Sequence, residues 1–166
     1  MPELMYANAT LDDLPEIVAI YNSTVAGRMV TADVEPVSVE SKVYWFHQHS
    51  AERRPLWLVK TGGDVVVGWV SFQNFYGRPA YNATAEISIY LHENFRGKGF
   101  GKTLLSYSIS RAPSLGLSTL LGYIFAHNLP SIKLFEQAGF KHWALLPNIA
   151  NLDGVERSVI ILGKRI

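Results

Sequence analysis

The chain has 166 residues, 48% of them hydrophobic and 17% charged, and its formal net charge is +1. That composition suits one globular α/β-sized unit with a single core, residues 1–166, and it leaves no broad basic face for nucleic acid. There is no cysteine, so disulfides, thiolate zinc sites and a cysteine nucleophile are excluded. No apolar run approaches the length of a membrane span, and a start bearing Pro2 and Glu3 does not read as an export leader. No membrane partner is expected, and the expected location is cytoplasmic.

In chain order, residues 4–9 read as a short strand. Thr10 then caps a helix, with Asp13 three residues on, Pro15 in the first turn, and Leu14, Ile17, Val18 and Tyr21 at helical spacing. Residues 25–37 carry Gly27 and Pro36 without apolar periodicity and read as a long loop, a frequent place for function. Ser38 is expected to cap a second helix through about Ser50. Residues 56–61 and 65–74 read as strands joined through Gly62-Gly63-Asp64, a hairpin signal. Residues 75–82 form an aromatic loop. The β-branched, apolar run 83–91 is the expected central strand, and a helix follows from Gly99 to about Leu115 despite Pro113. A strand over 119–126, a short helix over 131–138, and strands over 141–149 and 157–163 complete the chain. The expected architecture is a mixed, mainly antiparallel sheet flanked by helices.

The chemistry-bearing stretch lies behind the central strand. Arg96, Gly97, Lys98, Gly99, Phe100, Gly101 and Lys102 follow one another between the strand and a helix. Glycines let backbone N–H groups approach a ligand, and a helix N-terminus favours an anion such as a diphosphate. The nucleoside-triphosphate loop is a poor fit, because its first glycine would fall on Arg96. The dinucleotide loop also fails, since Gly101 comes one residue early. The pattern that fits is R-x-x-G-x-G, on Arg96, Gly99 and Gly101. Downstream, Asn128-Leu129-Pro130-Ser131 opens a short helix that closes on Gly139-Phe140.

These two elements resemble the acyl-CoA-binding elements of the GNAT family of N-acetyltransferases, and the order of elements matches over nearly the whole chain. Within that family, residues 83–90 (Ala-Thr-Ala-Glu-Ile-Ser-Ile-Tyr), Tyr21-Asn22-Ser23-Thr24 and residues 68–72 (Gly-Trp-Val-Ser-Phe) most resemble the phosphinothricin and methionine-sulfoximine acetyltransferases. The resemblance implies an enzyme that moves an acetyl group from acetyl-CoA directly to the α-amine of a small amino-acid-like compound, without a metal. It also implies a homodimer.

Glu86 is the candidate general base. A carboxylate inside an apolar strand is costly unless it is hydrogen-bonded or functional, and burial raises its pKa toward the range where a base works at neutral pH. The bland reading of Glu86 is a structural carboxylate that pairs with Arg78 or caps a backbone bend. The resemblance places the cofactor arm along Ile89, Tyr90 and Leu91, with a backbone N–H of Tyr90 or Leu91 polarising the thioester carbonyl. It places the diphosphate on residues 97–102 and the arm's amide on Asn128, assisted by Ser131. Arg28 and Arg78 are candidates for a substrate carboxylate, and Phe72, Phe75, Tyr76 and Tyr81 for pocket walls.

Two departures stand out. The family's leaving-group acid, a tyrosine seven residues after the asparagine, is here Phe135, so either another donor serves, Tyr107 or Tyr123, or none is needed, a thiol of pKa about 8.5 being a tolerable leaving group. The aromatic, histidine-containing run that related resistance enzymes carry before the last strand is replaced by residues 152–157 (Leu-Asp-Gly-Val-Glu-Arg). The five histidines have no metal-site spacing. Acetylation of a polyamine or a protein N-terminus, and a non-catalytic acyl-CoA sensor, are the alternatives.

Overall fold

The computed structural model describes residues 1–166. Seven strands form one sheet: β1 Leu4–Asn8, β2 Leu56–Thr61, β3 Val66–Asn74, β4 Thr84–Leu91, β5 Thr119–Phe125, β6 Lys141–Leu152 and β7 Val155–Arg165. Their order across the sheet is β1-β2-β3-β4-β5-β7-β6. Every neighbouring pair is antiparallel except β4 and β5. A parallel pair needs a long crossover, and here helix α3, Phe100–Arg111, supplies it. The remaining helices are α1 Leu14–Asn22, α2 Val43–His47 and α4 Leu129–Gln137.

Side-chain alternation along β3 and β4 splits the interior into two parts. Ala85 and Ile87 of β4 and Val70 and Phe72 of β3 point into the larger part, with Phe100, Leu104 and Leu105 of α3 and Ile132 and Phe135 of α4. Trp69 points the other way, with Leu14, Ile17 and Val18 of α1 and Leu56 and Leu58 of β2. Glu86, Ser88 and Tyr90 share that second face. Burying each large apolar side chain is worth about 1.5–3 kcal/mol, so the first part carries most of the stability and the second leaves room for a cleft.

Two local expectations change. The helix expected over 38–50 is instead a 3₁₀ turn, Glu40–Lys42, followed by the short α2. The His49 ring then ends the helix by bonding the Trp45 carbonyl at 2.9 Å. The last hairpin is longer than expected, because Pro147 and Asn148 do not end β6. The register shifts between Leu146 and Ala150, and Asn148 adopts φ 51°. A bulge in an edge strand absorbs a proline that cannot donate. Asp153 and Gly154, at φ 55° and 83°, make the tight turn between β6 and β7. No helix is long and apolar enough to cross a membrane.

Candidate active site

Three cross-strand pairs of β3 and β4 form the floor of a cavity: Trp69 with Tyr90, Ser71 with Ser88, and Gln73 with Glu86. With Ile17, Val18 and Tyr21 of α1 and Lys42 and Trp45 around α2, they enclose 260 Å³. Glu86 is half-buried here. It is in none of the chain's three ion pairs, so the expected alternative of pairing with Arg78 does not occur. Burial raises the Glu86 carboxyl above its ordinary 4.5. Tyr21 gives its hydroxyl hydrogen to Asp33 and also meets Thr31. Burial, then the Asp33 bond, pushes the Tyr21 phenol up to about 12.

On the other side of β4 the sheet opens. Pairing between β4 and β5 stops after Glu86 meets Leu121. Beyond that point the strands diverge around a slot of 70 Å³ lined by β4, Gly122, Tyr123, Asn128, Ser131, Phe135 and Val30. The backbone pattern says which groups face it. The His92 N–H bonds the Val67 carbonyl. In an antiparallel ladder this makes Tyr90, opposite Trp69, another bonded partner of β3. The polar backbone groups of Ile87, Ile89 and Leu91 therefore turn toward the slot, and the Tyr90 N–H does not. Of the two oxyanion donors considered, Leu91 keeps that possibility and Tyr90 loses it. Cavity and slot meet at Ser88 and Tyr90, which line both.

The glycine-rich loop lies beyond the end of β4, where Gly101 sits against Leu91 of β4 and Leu134 of α4. Gly97 and Gly99 sit at φ 70° and 87°, conformations open to glycine, and Gly99 is the N-cap of α3. Lys98 and Lys102 are exposed and belong to no ion pair. Phe100 is buried in the core, so any contact it makes with a ligand is through its backbone. The Arg96 side chain is engaged within the protein: it donates to the Leu91 carbonyl at 3.0 Å and to Ser23 Oγ at 2.6 Å. It clasps the end of β4 to the end of α1.

Asn128 caps α4 by accepting from the Ser131 N–H, and its amide donates to the Met29 carbonyl at 3.1 Å. His127 bonds the Arg28 carbonyl at 2.8 Å. The loop after α1 is thus tied beside the slot. Arg28, expected at a substrate carboxylate, instead pairs with Asp153 at 2.6 Å. Arg78 is exposed and does not line the cavity. Phe72, expected as a wall, is 0% exposed in the core on the opposite face, because alternation from Ser71 turns it away. Phe75 and Tyr81 line a separate 320 Å³ recess with Tyr123 and Trp143, and Tyr76 is 79% exposed. Tyr107 stacks on Tyr6 at 3.6 Å against the outside of the core and does not line the slot, while Tyr123 does. Burial first, then the charges of Glu86 and Tyr76, raise the Tyr123 phenol.

Lys42, Trp45, Trp69, Tyr21, Gln73 and Ser88 were missed from sequence. Alternation along β4 from Glu86 is the signal that identifies Ser88. Nothing local marked Lys42, which reaches the cavity through the packing of a distant turn.

A mixed sheet whose parallel pair parts after Glu86, followed by a glycine-rich loop that opens α3, is the frame expected of an acyl-CoA-dependent N-acetyltransferase. The Acetyltransferase (GNAT) family model matches residues 15–140, and the chain belongs to that family. It is 52% identical to "Putative phosphinothricin acetyltransferase YwnH" of Bacillus subtilis (strain 168), over 93% of this chain and 94% of that protein. It is 29% identical to the L-methionine sulfoximine/L-methionine sulfone acetyltransferase of Pseudomonas paraeruginosa (strain DSM 24068 / PA7), over 89% and 86%. The crystal structure of a phosphinothricin acetyltransferase from Sinorhizobium meliloti in complex with AcCoA superposes with a TM-score of 0.89 at 26% identity, covering 98% of this chain and 88% of that one. Acetyl-CoA is the acetyl donor. The donor set here, free strand-edge backbone, glycine loop and two free lysines, suits it without a metal, and no cluster of metal-ligating side chains is present.

Proposed function

We propose that the enzyme acetylates the α-amine of a small amino-acid-like compound, of the phosphinothricin or methionine-sulfoximine type, with Glu86 as general base. The observation that carries this is the place of Glu86: half-buried, free of partners, and on the one strand that borders both the cavity and the slot. Ile89 and Leu91 pair their backbone with the pantetheine arm, and residues 97–102 hold the diphosphate through N–H groups, with Lys98 and Lys102 adding charge. Asn128 exchanges the Met29 carbonyl for the arm's amide, and Ser131 lies beside it.

Glu86 takes a proton from the substrate ammonium. The freed nitrogen lone pair attacks the thioester carbon, forming the C–N bond and a tetrahedral oxyanion held by the Leu91 N–H; collapse of that adduct breaks the C–S bond, and the second proton lost from nitrogen passes to the departing thiolate, giving the amide and CoA thiol. No covalent enzyme intermediate is needed. The departing thiolate belongs to a thiol of pKa about 8.5, so Phe135 need not be replaced by another acid. Tyr123, the phenol lining the slot, solvates the sulfur by a hydrogen bond. We place the dimer contact on the edge strand β6, where Leu145 and Ile149 are 60% and 61% exposed.

The test is release of CoA thiol from acetyl-CoA with phosphinothricin, methionine sulfoximine, methionine sulfone, spermidine and a peptide side by side. Fast release with the amino-acid analogues is expected. Release with spermidine or peptide alone contradicts the substrate assignment and leaves the transferase intact.

A further inference from the structure

The 260 Å³ cavity is lined by eleven residues, and two of them carry charge: Glu86 and Lys42. Neither is neutralised by the chain. The Lys42 ammonium lies 5.2 Å from the centre of the Tyr21 ring and forms no ion pair. Asp33, on the loop after α1, is engaged by the Tyr21 hydroxyl. The other basic candidates are out of reach of this space, Arg28 being paired with Asp153 and Arg78 lying outside the lining. Lys42 is partly buried, and apart from the face of the Tyr21 ring its ammonium has no partner in the chain, which leaves its hydrogen-bond donors free for an anionic group in the cavity.

We infer that Lys42 anchors the substrate carboxylate, so that the cavity selects zwitterionic α-amino acids over plain amines. This rests on the proposed reading of Glu86 as the group that receives the α-amine. One cavity then offers an anion to the ammonium and a cation to the carboxylate. The amine end lies at Glu86, Ser88 and Tyr90, where the cavity meets the slot, and the carboxylate end at Lys42.

The helix that follows Lys42 is fixed against the cavity floor. His49 Nδ1 faces the Trp45 carbonyl at 2.9 Å and must carry the hydrogen there. Its Nε2 therefore accepts from Ser71 Oγ–H, at 2.7 Å. That bond ties the end of α2 to the cavity floor. Trp45 and Trp69 meet edge-on at 5.6 Å, and Trp69 gives its ring N–H to the Ile17 carbonyl at 3.1 Å. Trp69 therefore presents carbon to the cavity, and Glu86 and Lys42 are the groups that orient a ligand by charge.

The experiment compares L-methionine sulfoximine with its α-carboxamide in the wild type, Lys42→Met and Lys42→Arg. Steady-state turnover and ligand quenching of tryptophan fluorescence are both recorded, the second needing no chemistry. In Lys42→Met, KM and Kd for the acid should rise roughly ten- to hundredfold, the size of one lost charge-assisted hydrogen bond. Values for the carboxamide and for acetyl-CoA should stay where they are, and Lys42→Arg should recover part of the loss. Equal losses for acid and carboxamide, or no loss for either, overturn the assignment. So does a wild type that binds the carboxamide as tightly as the acid. Failure of the Glu86 reading looks different: Glu86→Gln turns over normally while the Lys42 effect on binding persists.

Discussion

The two faces of the sheet are built to different standards. On the α3 and α4 side, 19 buried residues form one cluster. On the α1 and α2 side, seven do, and the space they leave is the cleft. The contrast runs through a single strand: Ala85 and Ile87 of β4 are 0% and 2% exposed, while Glu86 between them faces the cavity. A packed face holds β4 rigid, so that an under-packed face can present an unpaired carboxylate at a fixed position. Function here occupies the places where packing was not completed.

Substitutions on the two faces should therefore fail in different ways. The largest effect is expected from Glu86→Gln, with turnover falling about 10²- to 10⁴-fold, the usual worth of a positioned base. Calorimetry should show acetyl-CoA binding unchanged. Its stability should respond in the opposite sense to its activity. Burial raises the Glu86 pKa in the folded chain, so the folded state keeps that proton to higher pH than the unfolded chain. The stability from this group is present below 4.5 and is lost as pH rises through the raised folded value. At neutral pH, Glu86→Gln should be at least as stable as the wild type by thermal melting.

Phe72→Ala, one strand away but on the packed face, should do the reverse. It should cost about 3–5 kcal/mol in denaturant unfolding, with kcat of the remaining folded protein little changed. Gly122→Ala tests the boundary between the faces. A Cβ there would lie 2.6 Å from the Phe135 ring, and relief of that clash should cost about 1–3 kcal/mol. Because Phe135 lines the slot, the Kd for acetyl-CoA should rise as well. The smallest effect belongs to Tyr123→Phe. Burial raises the Tyr123 phenol, and a phenol is already a weaker acid than a thiol, so full proton transfer is uphill and kcat should stay within about threefold.

Much of this was legible beforehand because it is local. The glycine loop, the capped α4 and the β4 alternation are short-range patterns, and the element order follows from them. Phe72 was misplaced because the face a strand residue takes depends on register with its neighbour, which β3 alone does not reveal. Arg28 was read as free because its partner, Asp153, is 125 residues away. Lys42 gave no signal at all, since its turn comes to the cavity only when α1 and α2 pack. Helix α2 was overextended because the ring that ends it, His49, acts through its side chain rather than through propensity.

The most direct test of the account is the pH dependence of kcat/KM in the wild type and in Glu86→Gln, measured by CoA-thiol release. The account predicts a wild-type acid limb that lies above 4.5, with rate rising as Glu86 loses its proton, and no such limb in the residual activity of Glu86→Gln. The same limb persisting in Glu86→Gln would contradict it, and the proton acceptor would have to be another group.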